Sequence, residues 1–177
     1  MPRLFTGIEI PETVSAQLAG LRGGVAGARW IEPSDYHVTL RFVGDVEPRV
    51  ADDIVETLAT VRAPPFTVEF AGLDAFGGHR PHAVVARVKP TPGLIELQSD
   101  HERRLRRLGL APESRKFSPH VTLARLRAGT ASAIADYLGV RHALSLSGFQ
   151  ARRFALFSAR EGTGGGPYHV ECAFDLG

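Results

Sequence analysis

The chain has 177 residues, of which 44% are apolar and 23% are charged, and these proportions are ordinary for a soluble globular protein. No apolar run approaches the roughly 18 residues that a membrane-spanning helix needs, and a single cysteine, Cys172, excludes an internal disulfide and fits a cytoplasmic location. The net charge of +2 argues against a protein that coats long nucleic acid, although all of the 21 basic residues except Lys89 and Lys116 are arginines, which suit an anionic substrate.

The predicted elements alternate between short strands and helices along the chain. Apolar residues at strand or helix spacing, with Gly and Pro at the boundaries, define each of them. In chain order they are a strand at 4–10, a helix from Pro11, an extended piece at 29–32, a strand at 36–43, a helix at 48–61, strands at 66–70 and 83–88, a helix at 92–108, a strand from Pro119, a helix at 130–138, and strands at 144–149, 154–159 and 168–174. We expect a single two-lobed α+β domain over residues 1–177.

One tetrapeptide, His-Val-Thr-Leu, occurs twice, at residues 37–40 and at residues 120–123, which are 83 positions apart (120 minus 37). Each copy begins a predicted strand, in which alternate side chains point to the same face. The histidine and threonine therefore share one face, and the valine and leucine share the other, together with Phe42 in the first copy. Because a helix and two strands follow each copy, the order predicts a duplicated α+β unit that brings His37 and His120 to one cleft.

Two histidines in one cleft are suited to acid–base chemistry, because the unperturbed pKa of the side chain, about 6.5, lies near neutrality. A neutral imidazole can deprotonate an attacking water or hydroxyl while a protonated one delivers a proton to the leaving oxygen. The hydroxyls of Thr39 and Thr122 can donate hydrogen bonds to a phosphate, on which charge builds up in the transition state. The pattern therefore favours in-line displacement at a phosphate ester, particularly a strained cyclic one.

The same residues have other interpretations, which are a metal site, a nucleophile site and a plain surface. A catalytic zinc ion usually takes three protein ligands, and neither copy offers another ligand at suitable spacing, so that His79 and His82 would have to be recruited from a loop. The sequence contains no G-x-S-x-G nucleophile motif. One His-x-Thr on an exposed sheet face is ordinary, whereas two copies in matching contexts favour a shared site. We therefore predict chemistry without a metal or another cofactor.

Two longer segments resemble the paired motifs of the two-histidine (2H) phosphoesterases. They are residues 37–44, HVTLRFVG, and residues 117–125, FSPHVTLAR. The resemblance is strongest to the RNA 2',3'-cyclic phosphodiesterases, also called 2'-5' RNA ligases, and it extends over nearly the whole chain. Further landmarks that agree in order are Arg3-Leu4-Phe5 with Pro11, Trp30 with Pro33, Pro64-Pro65-Phe66, Arg80-Pro81, and Leu156-Phe157-Ser158 with the Gly-rich turn after it.

The resemblance implies a bilobal fold, in which two pseudo-symmetric lobes of antiparallel sheet with outer helices surround a central cleft. It implies hydrolysis of a 2',3'-cyclic phosphate at an RNA or nucleotide end to a 2'-phosphomonoester. His37 is then the proton donor to the departing 3'-oxygen, His120 is the base that activates water, and Thr39 and Thr122 hold the phosphate. Members of this family also join or cleave 2'-5' linked RNA ends in vitro. We expect a cytoplasmic monomer that binds RNA ends or nucleotides and no membrane.

The residues that bind the phosphate and the base are harder to assign. Strand alternation puts Arg41 on the histidine face and Arg125 on the opposite face. The family pattern instead favours Arg125, which a bend near Leu123 would turn towards the phosphate. We therefore expect Arg125 to contact the phosphate and retain Arg41 as the second candidate. Phe5 and Tyr36 are candidates for stacking on the base, with core packing as the alternative role of each.

Some polar residues and some functions stay open at this point. Arg80 and His82, in the loop after Gly77-Gly78, are within the class of residues that contact an RNA backbone. His101, His142 and His169 lie away from the motifs and are predicted to be structural or surface residues. The alternative functions are a non-catalytic module that binds RNA ends, and a phosphodiesterase that acts on 2'-5' oligonucleotides or a cyclic nucleotide. The two complete His-x-Thr pairs favour an enzyme, since a binding module needs no pair of titratable groups.

Overall fold

Alternating strands and helices build the fold, and the computed structural model describes residues 3–127, 131–141, 144–159 and 166–177. The strands in these ranges are β1 (Arg3–Glu9), β2 (Arg29–Trp30), β3 (His37–Asp45), β4 (Phe66–Val68), β5 (Phe70–Phe76), β6 (Ala83–Val88), β7 (His120–Arg125), β8 (Phe149–Ala151), β9 (Arg153–Ala159) and β10 (Tyr168–Asp175). The helices are α1 (Glu12–Ala19), α2 (Pro48–Leu58), α3 (Pro92–Arg107) and α4 (Ala131–Arg141), and a 3₁₀ turn covers Pro33–Asp35. None of these helices is long and apolar enough to span a bilayer.

A central antiparallel sheet carries both His-x-Thr segments. Its strand order is β10-β9-β1-β3-β7-β6-β5, with β2 also paired to β7, and β4 and β8 form a separate two-stranded sheet. The valine and leucine of each tetrapeptide point into the main core, where Val38, Leu40, Val121 and Leu123 are buried. Helix α3 packs against β3 on this core side. The histidines and threonines are therefore left on the opposite face of the sheet.

The helix and the two strands that directly follow each tetrapeptide have bounds that differ by 83 residues between the two halves. Strand β4 at 66–68 corresponds to β8 at 149–151, and β5 at 70–76 corresponds to β9 at 153–159. The predicted order of a helix and two strands after each tetrapeptide is confirmed. The predicted order matched the strand at 83–88 to the strand at 154–159, and this match was wrong, because the counterpart of β9 is β5. That strand, β6, pairs with β7 as β1 pairs with β3, so it corresponds to β1.

Two sequence predictions differ from the structure at strand boundaries. The predicted strand at 144–149 begins only at Phe149, since residues 144–148 have no ladder partners in the structure. Strand β5 extends over residues 71–75, which the sequence analysis did not assign to a strand. A register shift between Phe70 and Leu73 contains Gly72 with φ of 91°, so a bulge hides the strand alternation there. Thr130, the first residue of the predicted fourth helix, lies outside the described residues.

His101 is a buried polar residue at the centre of α3. It is 0% exposed, its Nδ1 is 2.9 Å from the Thr6 hydroxyl, and its ring packs edge-on against Phe154 at 4.5 Å. Burial lowers the pKa of His101 to about 4, with the charge of Arg104 acting in the same direction and that of Asp100 opposing it. His101 is therefore held neutral, and the prediction that it is structural is confirmed.

We expect this burial to make the fold acid-sensitive. The unfolded-state pKa of histidine is about 6.5, so as the pH falls below that value the unfolded chain takes up a proton before the folded chain does. Stability from neutral His101 is complete above pH 6.5 and is lost towards pH 4, by about 2 kcal/mol between pH 7 and pH 5. Urea unfolding at these two pH values should show a smaller loss in His101→Gln than in the unaltered protein.

The matched control is His169→Gln, because His169 is exposed on the edge strand β10. This variant should keep the full pH dependence of the free energy of unfolding. An equal pH dependence in His101→Gln and in the unaltered protein would contradict the assignment of acid sensitivity to His101.

Candidate active site

The two His-x-Thr strands lie side by side at the centre of the sheet. Strands β3 and β7 are antiparallel neighbours, and their ladder pair is Val38 with Val121. In this register His37 lies beside Thr122, and Thr39 lies beside His120. The four side chains line one cavity of about 200 Å³ on the face away from the core. The structure thus brings together both histidines and both threonines.

A bulge in each strand changes the face to which the next side chains point. On β3 the register against β1 shifts by one residue between Thr39 and Arg41, and on β7 the register against β6 shifts at the corresponding step between Thr122 and Ala124. An extra residue in one strand reverses the alternation beyond it. Arg125 is therefore turned to the cavity, as the family pattern required.

The same bulge corrects two predictions about β3. Alternation placed Phe42 on the core face, but its ring lines the cavity. Alternation placed Arg41 on the histidine face, but Arg41 is 5% exposed and lies on the helix side of the sheet. Its guanidinium is paired with Glu102 of α3 and donates to the backbone carbonyls of Phe42 and Ala111. Arg41 does not line the cavity, so its candidacy as a phosphate contact was wrong.

Each cavity histidine is held by a hydrogen bond to the backbone carbonyl of the residue two positions before it. His37 Nδ1 is 2.9 Å from the carbonyl oxygen of Asp35, and His120 Nδ1 is 2.7 Å from the carbonyl oxygen of Ser118. Because a carbonyl only accepts, each Nδ1 carries the proton, which leaves Nε2 as the nitrogen available to a substrate. His37 Nε2 is 3.0 Å from the Thr39 hydroxyl. The two histidines therefore present equivalent nitrogens to the cavity.

The surroundings of the two imidazoles differ. His37 lies among three aromatic rings, with centroid distances of 4.8 Å to Phe5, 5.6 Å to Phe157 and 4.9 Å to Tyr168. Burial lowers the pKa of His37 to about 4, against the opposing effect of its hydrogen bond to the backbone at Asp35. Burial also lowers the pKa of His120, and nearby arginines add to that effect. Both histidines are neutral in the ligand-free cavity at neutral pH.

Phe5 lies in the cavity wall and packs against His37. Its ring is 5% exposed, stacks on Phe157 at 5.0 Å and meets Tyr168 edge-on at 5.2 Å. The stack needs Gly7, where a Cβ would come within 2.7 Å of the Val38 carbonyl oxygen and 3.2 Å of the Phe157 ring. Phe5 also lines the cavity, although little of its ring is exposed, so its role in stacking on a base stays a prediction.

Several cavity residues were not found from the sequence. Tyr168, at the start of β10, accepts a hydrogen bond from Arg125, and its backbone N–H donates to the Asp35 carboxylate at 3.1 Å. Burial raises the pKa of Tyr168. Arg3 also lines the cavity. No local signal marks these residues, because they reach the cavity from strands and turns far away in sequence.

The remaining candidates lie outside the cavity. Tyr36 is buried in the main core, and Arg80 and His82 are exposed on the loop before β6 and do not line the cavity. His169 is exposed on β10, and His142 lies outside the described residues. In the part of the chain that the structure describes, no three His, Cys, Asp or Glu side chains are close enough to hold a metal ion.

Comparison with known proteins shows which family has this arrangement. Residues 8–86 and 88–168 each match the model of the LigT-like phosphoesterases. The RNA 2',3'-cyclic phosphodiesterase of Bacillus subtilis is 30% identical over 130 residues, which cover 70% of this chain and 71% of that protein. The enzyme of the same name from Aeropyrum pernix is 39% identical over 117 residues, 63% of this chain and 66% of that protein. For the Geobacillus stearothermophilus protein, which is 38% identical, the matched part is 33% of its length. The match thus spans less than two thirds of these last two relatives.

Two solved structures of other proteins have the same fold as this chain. Escherichia coli LigT, in a crystal structure with 3'-AMP, is 22% identical, with a TM-score of 0.79 over 99% of both chains. A Thermus thermophilus protein is 24% identical, with a TM-score of 0.78 over 98% of this chain and 97% of that one. The predicted α+β fold of the 2H phosphoesterases is confirmed. The chain belongs to the family of LigT-like phosphoesterases, within the two-histidine superfamily.

Proposed function

We propose that this protein is an RNA 2',3'-cyclic phosphodiesterase, which opens the cyclic phosphate at an RNA or nucleotide end to a 2'-phosphomonoester. The observation that carries the proposal is that two imidazoles, each with its Nδ1 proton fixed by a backbone carbonyl, line one cavity with two hydroxyls and a guanidinium. The curated relatives named RNA 2',3'-cyclic phosphodiesterase support the choice of substrate.

The proposed reaction needs one group that takes a proton from water and another that gives a proton to the departing 3'-oxygen. His120 Nε2 removes a proton from water, whose oxygen attacks the phosphorus in line with the bond to the 3'-oxygen. That bond breaks, and protonated His37 gives its Nε2 proton to the departing 3'-oxygen. Thr39, Thr122 and Arg125 donate to the non-bridging oxygens, on which negative charge grows. With a ribose 5'-hydroxyl in place of water as the nucleophile, the same steps join 2'-5' ends.

His37 has to gain a proton before it can act as the acid. In the ligand-free cavity its pKa is about 4, because its charged form is desolvated and lies near His120 and Arg125. A bound phosphodiester brings a negative charge to this cavity, and an opposite charge nearby favours the protonated imidazole. Substrate binding therefore raises the pKa of His37, and the acid is formed when it is needed.

We expect His37→Ala and His120→Ala each to lower the turnover of 2',3'-cyclic AMP by about 10²- to 10⁴-fold, because each removes one proton transfer. The product of the unaltered protein should be 2'-AMP, identified by chromatography against 3'-AMP. His169→Ala, in an exposed histidine outside the cavity, is the matched control and should retain full activity. Substantial turnover by either cavity variant would refute the acid–base pair.

Truncation of Arg125 should affect mainly turnover, whereas truncation of Arg41 should affect mainly the stability of the fold. Arg125→Ala should lower turnover at least tenfold while it changes the free energy of unfolding by less than about 1 kcal/mol, because the side chain is exposed. Arg41→Ala should destabilise the fold by about 3 kcal/mol, because it leaves Glu102 without its buried partner. Urea unfolding and initial rates measure both. A stable, inactive Arg41→Ala would restore Arg41 as a phosphate contact.

The pH dependence of kcat/KM, which reports the free protein, should differ from that of kcat, which reports the complex with substrate. Since the pKa values of His37 and His120 are both lowered in the free cavity, kcat/KM for 2',3'-cyclic UMP should fall as the pH rises from about 6 to 8. The profile of kcat should be bell-shaped, with its maximum at higher pH, because bound phosphate raises both pKa values. Superimposable profiles would show that substrate binding does not charge His37.

Activity should persist in millimolar EDTA, because histidine proton transfer needs no metal ion. Initial rates are compared before and after exhaustive dialysis against the chelator. Loss of turnover that zinc restores would overturn the metal-independent mechanism.

A further inference from the structure

Two arginines lie directly opposite each other at the rim of the cavity. Arg29 of β2 and Arg125 of β7 are antiparallel ladder partners, so their side chains leave the sheet on the same face, with Cβ atoms about 4.5–5.5 Å apart. Arg125 lines the cavity, and so does Ile31, which is two residues after Arg29. Trp30, between them in sequence, packs against the main core instead. Arg29 therefore lies on the histidine face, beside Arg125.

This pair of like charges costs the fold stability, because like charges directly opposite on neighbouring strands repel each other. Both side chains are exposed. Within the described ranges no carboxylate lies at ion-pair distance from Arg29, and Glu32, three residues further on, is paired with Arg22 at 3.3 Å. A bound anion removes the repulsion, and a guanidinium holds a phosphate through two parallel hydrogen bonds. The pair therefore indicates an anionic ligand at this rim.

The pair lies at the end of the cavity that holds His37. In the register of β3 with β7 His37 lies beside Thr122, and Arg125 follows Thr122 by three positions. Tyr168, which packs edge-on against His37 at 4.9 Å, also accepts a hydrogen bond from Arg125. Burial raises the pKa of Tyr168, and the charges of Arg125 and Arg29 oppose this rise. Both guanidiniums are thus close enough to the cavity to act on its phenol.

The proposed reaction places the ribose at the same end. The departing 3'-oxygen faces His37, and the ribose that carries this oxygen stays attached to phosphorus through its 2'-oxygen. In an RNA strand the 5' side of that ribose continues into the preceding phosphodiester. This second negative charge therefore leaves the cavity past Arg29 and Arg125. Arg29 does not itself line the cavity, so it suits this second phosphate and not the reacting one.

We propose that Arg29 binds the phosphodiester on the 5' side of the terminal nucleotide, so that the protein prefers RNA ends to mononucleotides that carry the same cyclic phosphate. This inference rests on the proposed function and adds a second phosphate site to it. Arg125 holds the reacting phosphate, and Arg29 holds the next one along the strand. A phosphate contact carries no sequence information, so this preference is independent of the bases.

The test compares two dinucleotides that differ by one charge. Both are uridylyl-adenosine 2',3'-cyclic phosphates, one with a phosphodiester between its nucleosides and one with an uncharged methylphosphonate. Arg29→Ala should lower the ratio of kcat/KM for the charged dinucleotide to kcat/KM for the uncharged one by about 5- to 20-fold, which lies between the loss of an exposed ion pair and the loss of a charged hydrogen bond. An unchanged ratio would overturn the site.

Arg49→Ala is the matched control, because it removes the same charge from an exposed position on helix α2. It should leave the ratio unchanged. Salt dependence gives a second readout, since the slope of log kcat/KM for the charged dinucleotide against log NaCl concentration should become less steep by about 0.7 in Arg29→Ala, for one lost phosphate contact. An equal slope in Arg29→Ala and the unaltered protein would contradict a direct contact.

The stability of Arg29→Ala distinguishes a phosphate contact from a structural role. The urea midpoint of this variant should be equal to that of the unaltered protein or higher, because its repulsion with Arg125 is removed. A clearly lower midpoint would show that Arg29 supports the fold instead.

A binding measurement separates failure of this site from failure of the proposed function. Calorimetric titration with adenosine 2',5'-bisphosphate and with 2'-AMP needs no turnover. Arg29→Ala should weaken binding of the bisphosphate at least about fivefold relative to binding of 2'-AMP, even if the unaltered protein hydrolysed no cyclic substrate. Turnover of the cyclic substrates together with equal weakening of both ligands would refute the second phosphate site alone and leave the proposed function intact.

Discussion

The pairing of β3 with β7 at the centre of the sheet is the constraint on which the candidate site depends. Two antiparallel neighbours are related by a local two-fold axis, which here passes near the pair Val38 and Val121. Whatever one strand presents, the other presents in the opposite direction across the axis. A phosphate on that axis meets an imidazole from each side, which is the arrangement that in-line displacement requires. The repeated tetrapeptide has a shared site because the strands that carry it are partners.

Much of this could be predicted from the sequence, because a repeated tetrapeptide followed by a repeated order of elements is a local signal. The bulges could not be predicted from strand alternation, because a one-residue shift depends on how β1 and β6 pair with the two strands. The bend near Leu123 was expected only from the resemblance to a family. Strand alternation therefore assigned Arg41 and Arg125 to the wrong faces, and only the resemblance to a family pointed to Arg125. Tyr168 was missed for a related reason, since 131 residues (168 minus 37) separate it from the histidine whose ring it contacts.

The two-fold relation is broken by side chains and not by the backbone. By strand pairing, Phe5 on β1 corresponds to Ala83 on β6. Phe157, which pairs with Phe5 and lies beside His37, therefore corresponds to Phe76, which pairs with Ala83 and lies beside His120. His37 also contacts Tyr168 of β10. The additional rings remove more water from His37 and so lower its pKa further. One histidine thus becomes more dependent on the charge of a bound phosphate than the other, and a pair of equivalent groups can acquire separate roles.

The bulge of β3 determines side-chain positions on both faces of the sheet, in the cavity and on the core side. By the same one-residue shift, Arg41 leaves the histidine face for Glu102 of α3 and Phe42 takes its place in the cavity. The guanidinium of Arg41 also holds the carbonyl of Phe42, so a buried ion pair fixes the backbone that carries the exposed ring. A buried ion pair adds little net stability but penalises alternative registers, because any slip would leave a charge unpaired. Arg41, which does not line the cavity, therefore maintains the register that keeps the cavity in shape.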